Sequence, residues 1–209
     1  MLDVLTPLRW LVAPARCVGC NEISRAPFCA ECEPNAPQPI ADEIEGRPLL
    51  AAGIYAGPLA AGIRRFKYVP QPDLAARLAA LLTAPAERMR LPKSTLWVPV
   101  PLHYARLVER GFNQSALLAR ALARTTGTRF EANLLKRTRE TTQQAQLERA
   151  ERLLNTQDAF EVRGRTDAEV VLIDDVVTSG ATVTSCIFAL AQKGVKVRAV
   201  FTLARTHPL

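Results

Sequence analysis

The 209-residue chain is 48% apolar and 22% charged, a balance that points away from the disordered class and suits one core domain of ordinary size plus a small appendage. Its formal charge of +7 admits nucleic acid, an anionic membrane surface or a highly charged small anion as partner, without choosing among them. No apolar run approaches the ~18 residues of a membrane span, so stable membrane insertion is not expected.

Ala13-Pro14-Ala15 behind an apolar stretch has the look of a signal-peptide cleavage site, but Asp3 stands where a basic region belongs, and Pro7 and Arg9 interrupt the apolar run. Residues 2–12 are therefore expected to form a short helix or arm on the protein's own surface, and the chain to be cytoplasmic. Two Cys-x-x-Cys knuckles follow, Cys17 with Cys20 and Cys29 with Cys32, separated by eight residues. Four thiolates at this spacing can close tetrahedrally around one zinc ion, with Gly19 permitting the tight turn. A site with four protein ligands leaves no position for water and is structural. Two disulfides are the alternative, disfavoured in a reducing compartment. Cys29→Ser is expected to unsettle the knuckle and spare ligand binding elsewhere.

Residues 33–48 are rich in Pro, Ala, Asp and Glu, lack an apolar period and are expected to be a linker. The expected division is 1–48 for arm, knuckle and linker and 49–209 for the core. Within the core, residues 49–55 suit a strand, 58–66 a helix, and 73–83 a second helix capped by Asp73. Between these helices stands Arg64-Arg65-Phe66-Lys67-Tyr68, which fits a solvated helix end as well as it fits a surface for single-stranded nucleic acid.

Leu96-Trp97-Val98-Pro99-Val100-Pro101 is a buried-strand pattern whose prolines shape the loop at its end. That loop runs through Leu102, His103, Arg106 and Arg110 to a helix of residues 115–126 stopped by Gly127. His103 is expected to be a ligand-loop residue and not a base. Lys136, Arg137 and Arg139, followed by Gln143, Gln144 and a helix-like stretch to Leu154, suit a lid over a polyanion and equally an ordinary exposed loop. The apolar run Val170-Val171-Leu172-Ile173 then predicts a strand buried on both faces, with Asp174 and Asp175 at its carboxyl end. Thr178-Ser179-Gly180-Ala181-Thr182 leads into an apolar helix, baring backbone N–H groups and hydroxyls where a phosphate is favoured. Cys186 in that helix is a small core residue, and residues 195–203 form a last strand beside the Val170 strand.

Residues 170–182 resemble the phosphoribosyl diphosphate (PRPP) signature of type I phosphoribosyltransferases, with Ser179 in place of a more usual Thr. The resemblance implies that Asp174 and Asp175 contact the ribose hydroxyls and that Thr178, Ser179, Gly180, Ala181 and Thr182 hold the 5′-phosphate. A Walker loop would need a Gly-Lys-Ser/Thr run that the chain does not contain.

With the four cysteines, Lys67-Tyr68, Val98-Pro-Val-Pro101, Arg110-Gly-Phe-Asn-Gln114 and the Gln-rich loop, the chain resembles the competence protein F (ComF) family over nearly all its length. Pro70 departs from the glycine-containing turn expected after Lys67-Tyr68. The resemblance implies an α/β fold: a type I phosphoribosyltransferase-like parallel sheet flanked by helices, preceded by a zinc knuckle. It also implies a pyrophosphate loop at Pro101, Leu102, His103, Arg106 and Arg110 with Mg²⁺, and lid or charge residues among Lys67, Arg137, Arg139 and Gln144. Two functions follow from it. One is a PRPP-binding factor for DNA uptake and natural transformation, handling single-stranded DNA with other competence or DNA-processing proteins. The other is an active phosphoribosyltransferase with an unknown base or amine acceptor.

Overall fold

The structure, a computed structural model, describes residues 14–69, 72–138 and 159–206. The expected N-terminal arm, Pro70, Arg139, Gln144 and the helix-like residues 145–154 lie outside the described residues.

Six strands form the main sheet in the order β1-β2-β8-β7-β3-β4: β1 (Ile40–Ile44), β2 (Arg47–Ile54), β8 (Val197–Arg205), β7 (Val170–Val177), β3 (Leu96–Pro99) and β4 (Arg129–Phe130). All neighbouring pairs are parallel except β1 with β2, which form a hairpin. A second, two-stranded antiparallel sheet pairs β5 (Leu135–Arg137) with β6 (Phe160–Val162).

Alternation along the strands explains why the central ones are apolar throughout. Trp97, Val171, Ile173, Ala199 and Phe201 point to one face. There they pack with α1 (Gly57–Tyr68), α2 (Pro72–Ala80), α3 (Thr83–Arg88) and α5 (Gln114–Thr126). Leu96, Val98, Val170, Leu172 and Val200 point to the other, against the β5–β6 pair and Val183, Cys186, Ile187 and Leu190 of α6 (Ala181–Gln192). A strand covered on both faces has no polar side to show. Cys186 is the buried core residue expected.

Three expectations are corrected. The stretch expected to be a linker contributes β1, whose register runs from Ile40 opposite Ala51 to Ile44 opposite Arg47. Its turn is Glu45-Gly46, both residues at positive φ as a two-residue hairpin turn requires. The expected helix over 73–83 ends at Ala80, a separate short helix begins at Thr83, and Asp73 lies in the first turn behind Pro72 instead of capping it. The loop expected after β3 contains a helix, α4 (Tyr104–Arg110), with no buried residue.

Candidate functional site

The carboxyl edge of β7 lies where β3, α1 and α5 converge. Asp174 Oδ1 accepts from Ser115 Oγ at 3.1 Å and from the Asp175 N–H at 2.8 Å. Lys67 Nζ lies 3.2 Å from Asp175 Oδ2. Burial first, then the neighbouring Asp175 charge, push the Asp174 carboxyl up to about 7, outweighing its hydrogen bonds and Lys67.

The Arg-Gly-Phe-Asn-Gln segment holds this edge together. Asn113 caps α5 by accepting from the Ser115 N–H at 3.0 Å, and its side-chain N–H donates to the Val100 carbonyl at 3.1 Å, which fixes the loop leaving β3. Gln114 is buried, donates to the Lys67 carbonyl at 3.1 Å and accepts from Arg110 at 3.3 Å. The Arg110 guanidinium also lies over the Tyr68 ring, 5.9 Å from its centroid. Thus the structure brings Lys67 to the acidic pair, and Arg110 to Gln114 and Tyr68 beside it. Pro101, Leu102 and His103 follow directly in the loop, His103 capping α4 with Nδ1 3.4 Å from the Ala105 N–H. Arg106 is not brought in: it is exposed and faces Glu109 at 4.0 Å. Arg137 lies on β5, its guanidinium 5.6 Å from the Phe160 ring centroid.

The turn expected to hold phosphate opens α6. Thr178 and Ser179 are exposed, Gly180 is the buried N-cap at φ 79, and Ala181 and Thr182 are half-buried. Gly180 itself offers no side-chain cap, and the Ala181 N–H donates to Ser179 Oγ at 3.5 Å, so the turn that follows the acidic strand end opens directly into the helix N-terminus. The β1–β2 hairpin walls it from outside: a Cβ on Gly180 would come 2.8 Å from Ile44 Cδ1, and Thr184 Oγ1 donates to Glu45 Oε1 at 3.1 Å.

The cluster Arg64 to Tyr68 is dispersed by the helix that carries it. Phe66 is fully buried, Arg65 binds backbone carbonyls of the knuckle, and Lys67 faces Asp175. Only Arg64 and Tyr68 remain exposed, so this stretch is not the continuous basic and aromatic platform that its sequence suggested.

A second centre lies in the knuckle. The sulfurs of Cys17, Cys20, Cys29 and Cys32 all lie within 4.8 Å of one another. Tetrahedral zinc with Zn–S bonds of ~2.3 Å needs sulfurs about 3.8 Å apart, so the four residues fit such an ion. Burial pushes the Cys17 thiol up, but N–H groups of Cys29, Cys20 and Gly19 together bring it down to about 6. Burial and the three neighbouring sulfurs push Cys32 up to about 12. Four sulfurs this crowded cannot all ionise unaided, and a divalent cation is what would let them. Gly19 keeps an ordinary φ and is there for close approach, since a Cβ on it would come 2.7 Å from Pro58 Cβ.

Sequence reasoning gave no site role to Ser115, Asn113 or Ile44. The first two carried a usable signal, an Asn at the start of an apolar helical period, while Ile44 lay in the stretch assigned to a linker.

No family model matches the chain. Among solved structures, it is similar to adenine phosphoribosyltransferase from Leishmania tarentolae, with a TM-score of 0.43 at 14% identity over 79% of this chain and 94% of that one. A hypoxanthine phosphoribosyltransferase from Staphylococcus aureus aligns with a TM-score of 0.39 at 14% identity over 63% and 62%. Among curated proteins, it is 34% identical over 166 residues to the DNA utilization protein YhgH of Escherichia coli K12, covering 76% of this chain and 72% of the relative. It is 30% identical over 148 residues to competence protein ComFC of Bacillus subtilis, covering 69% and 58%. It is also 30% identical over 207 residues to competence protein F of Haemophilus influenzae, covering 90% of each chain. With likeness at that level over nearly the whole length, the chain belongs to the competence protein F family.

Proposed function

We propose that this protein binds PRPP along the carboxyl edge of β7 and β3 and acts on the cytoplasmic side in DNA uptake or natural transformation. The observation that carries the reading is the meeting of two aspartates and a lysine at the end of β7, the strand whose following turn opens the N-terminus of α6. Asp174 and Asp175 would accept the ribose hydroxyls, and the 178–182 turn would take the 5′-phosphate with backbone N–H groups and hydroxyls. The loop through Pro101, Leu102 and His103, with Arg110, would face the pyrophosphate. Magnesium would be held chiefly by PRPP oxygens and ribose hydroxyls and would neutralise the diphosphate. Zinc is the proposed occupant of the four-cysteine site. The names of the relatives support the DNA-related role, with single-stranded DNA and other competence proteins as proposed partners.

Calorimetric titration of Mg²⁺-PRPP tests the binding site, with Asp174→Ala/Asp175→Ala as the control that should abolish the heat. Wild-type affinity in that variant would place the sugar phosphate elsewhere.

One observation favours a second reading, turnover. Asp174 stands at the carboxyl end of β7 with Ser115 Oγ and the Asp175 N–H both on Oδ1, and burial raises its pKa, which suits it to exchange a proton with an incoming acceptor. Pyrophosphate release from PRPP in a screen of bases and amines decides between the two. Release with one acceptor supports transfer, and none across the screen supports a ligand-binding role.

A further inference from the structure

Helix α1 touches both centres. Pro58, Gly62 and Arg65, spaced i, i+4 and i+7, present one face to the knuckle. A Cβ on Gly62 would come 2.6 Å from both Val18 Cγ1 and the Val18 carbonyl oxygen, so the two backbones meet as closely as glycine allows. Val18 itself is fully buried, in one cluster with Phe28, Leu59, Ile63 and Phe66. The Arg65 guanidinium donates to three successive carbonyls, Cys17 at 3.0 Å, Val18 at 2.9 Å and Gly19 at 3.2 Å. These belong to the turn that begins the cysteine cluster. Two residues further along the same helical turn, Lys67 reaches Asp175.

We propose that Arg65 is a positioning residue. By tying the last turn of α1 to the first cysteine knuckle, it holds Lys67 against Asp175 and makes the knuckle part of the frame of the ligand site. The last turn of a helix frays unless something outside the helix holds it, and here two groups do: Arg65 from the knuckle side and Gln114 on the Lys67 carbonyl. A guanidinium suits the task because its fixed fork of five donors can serve three converging carbonyls at once, which an ammonium on a flexible stem does less well. Lys67 sits on four rotatable bonds, so its reach to Asp175 depends on where that turn places its Cα.

The statement about PRPP affinity rests on the function proposed above, whereas the statement about α1 does not, and the test separates them. Arg65→Lys and Arg65→Ala are made in the full-length chain, each in the wild type and in Lys67→Ala. Amide hydrogen exchange is followed over residues 64–68 and 174–177, and Mg²⁺-PRPP affinity by calorimetry. Arg65→Lys should speed exchange by about tenfold in both windows while Leu190 in α6 is unchanged. It should weaken Mg²⁺-PRPP by about tenfold in the wild type and by less than about twofold in Lys67→Ala, the non-additivity of residues acting through one another. Equal losses in the two backgrounds, or exchange at 174–177 that ignores residue 65, would overturn the proposal. Should the unaltered chain fail to bind Mg²⁺-PRPP, the functional reading falls and the exchange measurement alone decides the role of Arg65. If Arg65→Ala does not fold, Gly62→Ala takes its place: it keeps the guanidinium but wedges Val18 away, and should produce the same exchange pattern.

Discussion

Ser115 Oγ donates to Asp174 Oδ1 across 3.1 Å, so the first turn of α5 is bonded to the carboxyl end of β7. This hydroxyl is one of few polar partners of a carboxyl that burial and Asp175 push up to about 7. The unfolded chain gives up the Asp174 proton near pH 4, while the folded chain keeps it until about 7, so this group stabilises the fold fully below pH 4 and loses that contribution as pH rises through 7. Asp174→Asn should therefore be more stable than the wild type at pH 8, on the order of 2 kcal/mol or roughly 6 °C in Tm, with the gap closing toward pH 4. Differential scanning calorimetry at both pH values checks this, and a gap independent of pH would contradict it. Ligand binding should show the opposite trend in the wild type, strengthening from pH 6 to 8 as the carboxylate becomes an acceptor.

Lys67→Ala should weaken Mg²⁺-PRPP binding by about tenfold, because it removes the cation that faces Asp175 and the incoming phosphates. The salt dependence of single-stranded DNA binding should not move, since Lys67 is engaged at the sheet edge. Arg64→Ala should instead lower the logarithmic salt slope by roughly 0.7 if that exposed residue meets a phosphate. Two titrations on each variant give the answer, and a slope change in Lys67→Ala with intact PRPP affinity would reverse the assignment.

Purified protein should carry about one zinc ion per chain, measurable by elemental analysis after gentle purification. Cys29→Ser should lose the metal. It should also lose ligand affinity, contrary to the expectation from sequence that the knuckle is remote, because Cys17, Val18 and Phe28 share one buried cluster with Trp97 and Phe201. Metal-free protein with two disulfides by mass spectrometry would refute the zinc assignment.

Gly180→Val should destabilise the protein by on the order of 2 kcal/mol and abolish PRPP binding, since a β-branched residue resists φ 79 and its Cβ would crowd Ile44. Adding Ile44→Ala relieves the crowding alone, so most of the loss should persist in the double variant. Full recovery on urea denaturation would assign the effect to the hairpin contact instead.

The features legible in the sequence were those whose signal is local. Val170 to Ile173 is apolar at every position because both faces of β7 are covered, and the cysteine spacing is contained within residues 17–32. β1 escaped because it is an edge strand whose residues are all partly or fully exposed, leaving Ile40 and Ile44 as its only large apolar side chains. Helix α4 escaped for a related reason: without a buried residue it has no apolar stripe to read. The basic cluster was visible but its partners were not. Charge is a property of the residue, whereas the carbonyls that Arg65 binds lie 46 to 48 residues earlier in the chain.

Strand β8 lies between β2 and β7, and among the described residues no other strand joins the two halves of the main sheet. Leu49 must wait for Val200, and Ile173 for Phe201. During synthesis every strand that β8 pairs with has therefore left the ribosome before β8 itself, and both β2 and β7 present open edges until it arrives. The edge of β2 therefore waits longest, through the synthesis of every element between it and β8, and is where the nascent chain is most open to aggregation or a holding chaperone.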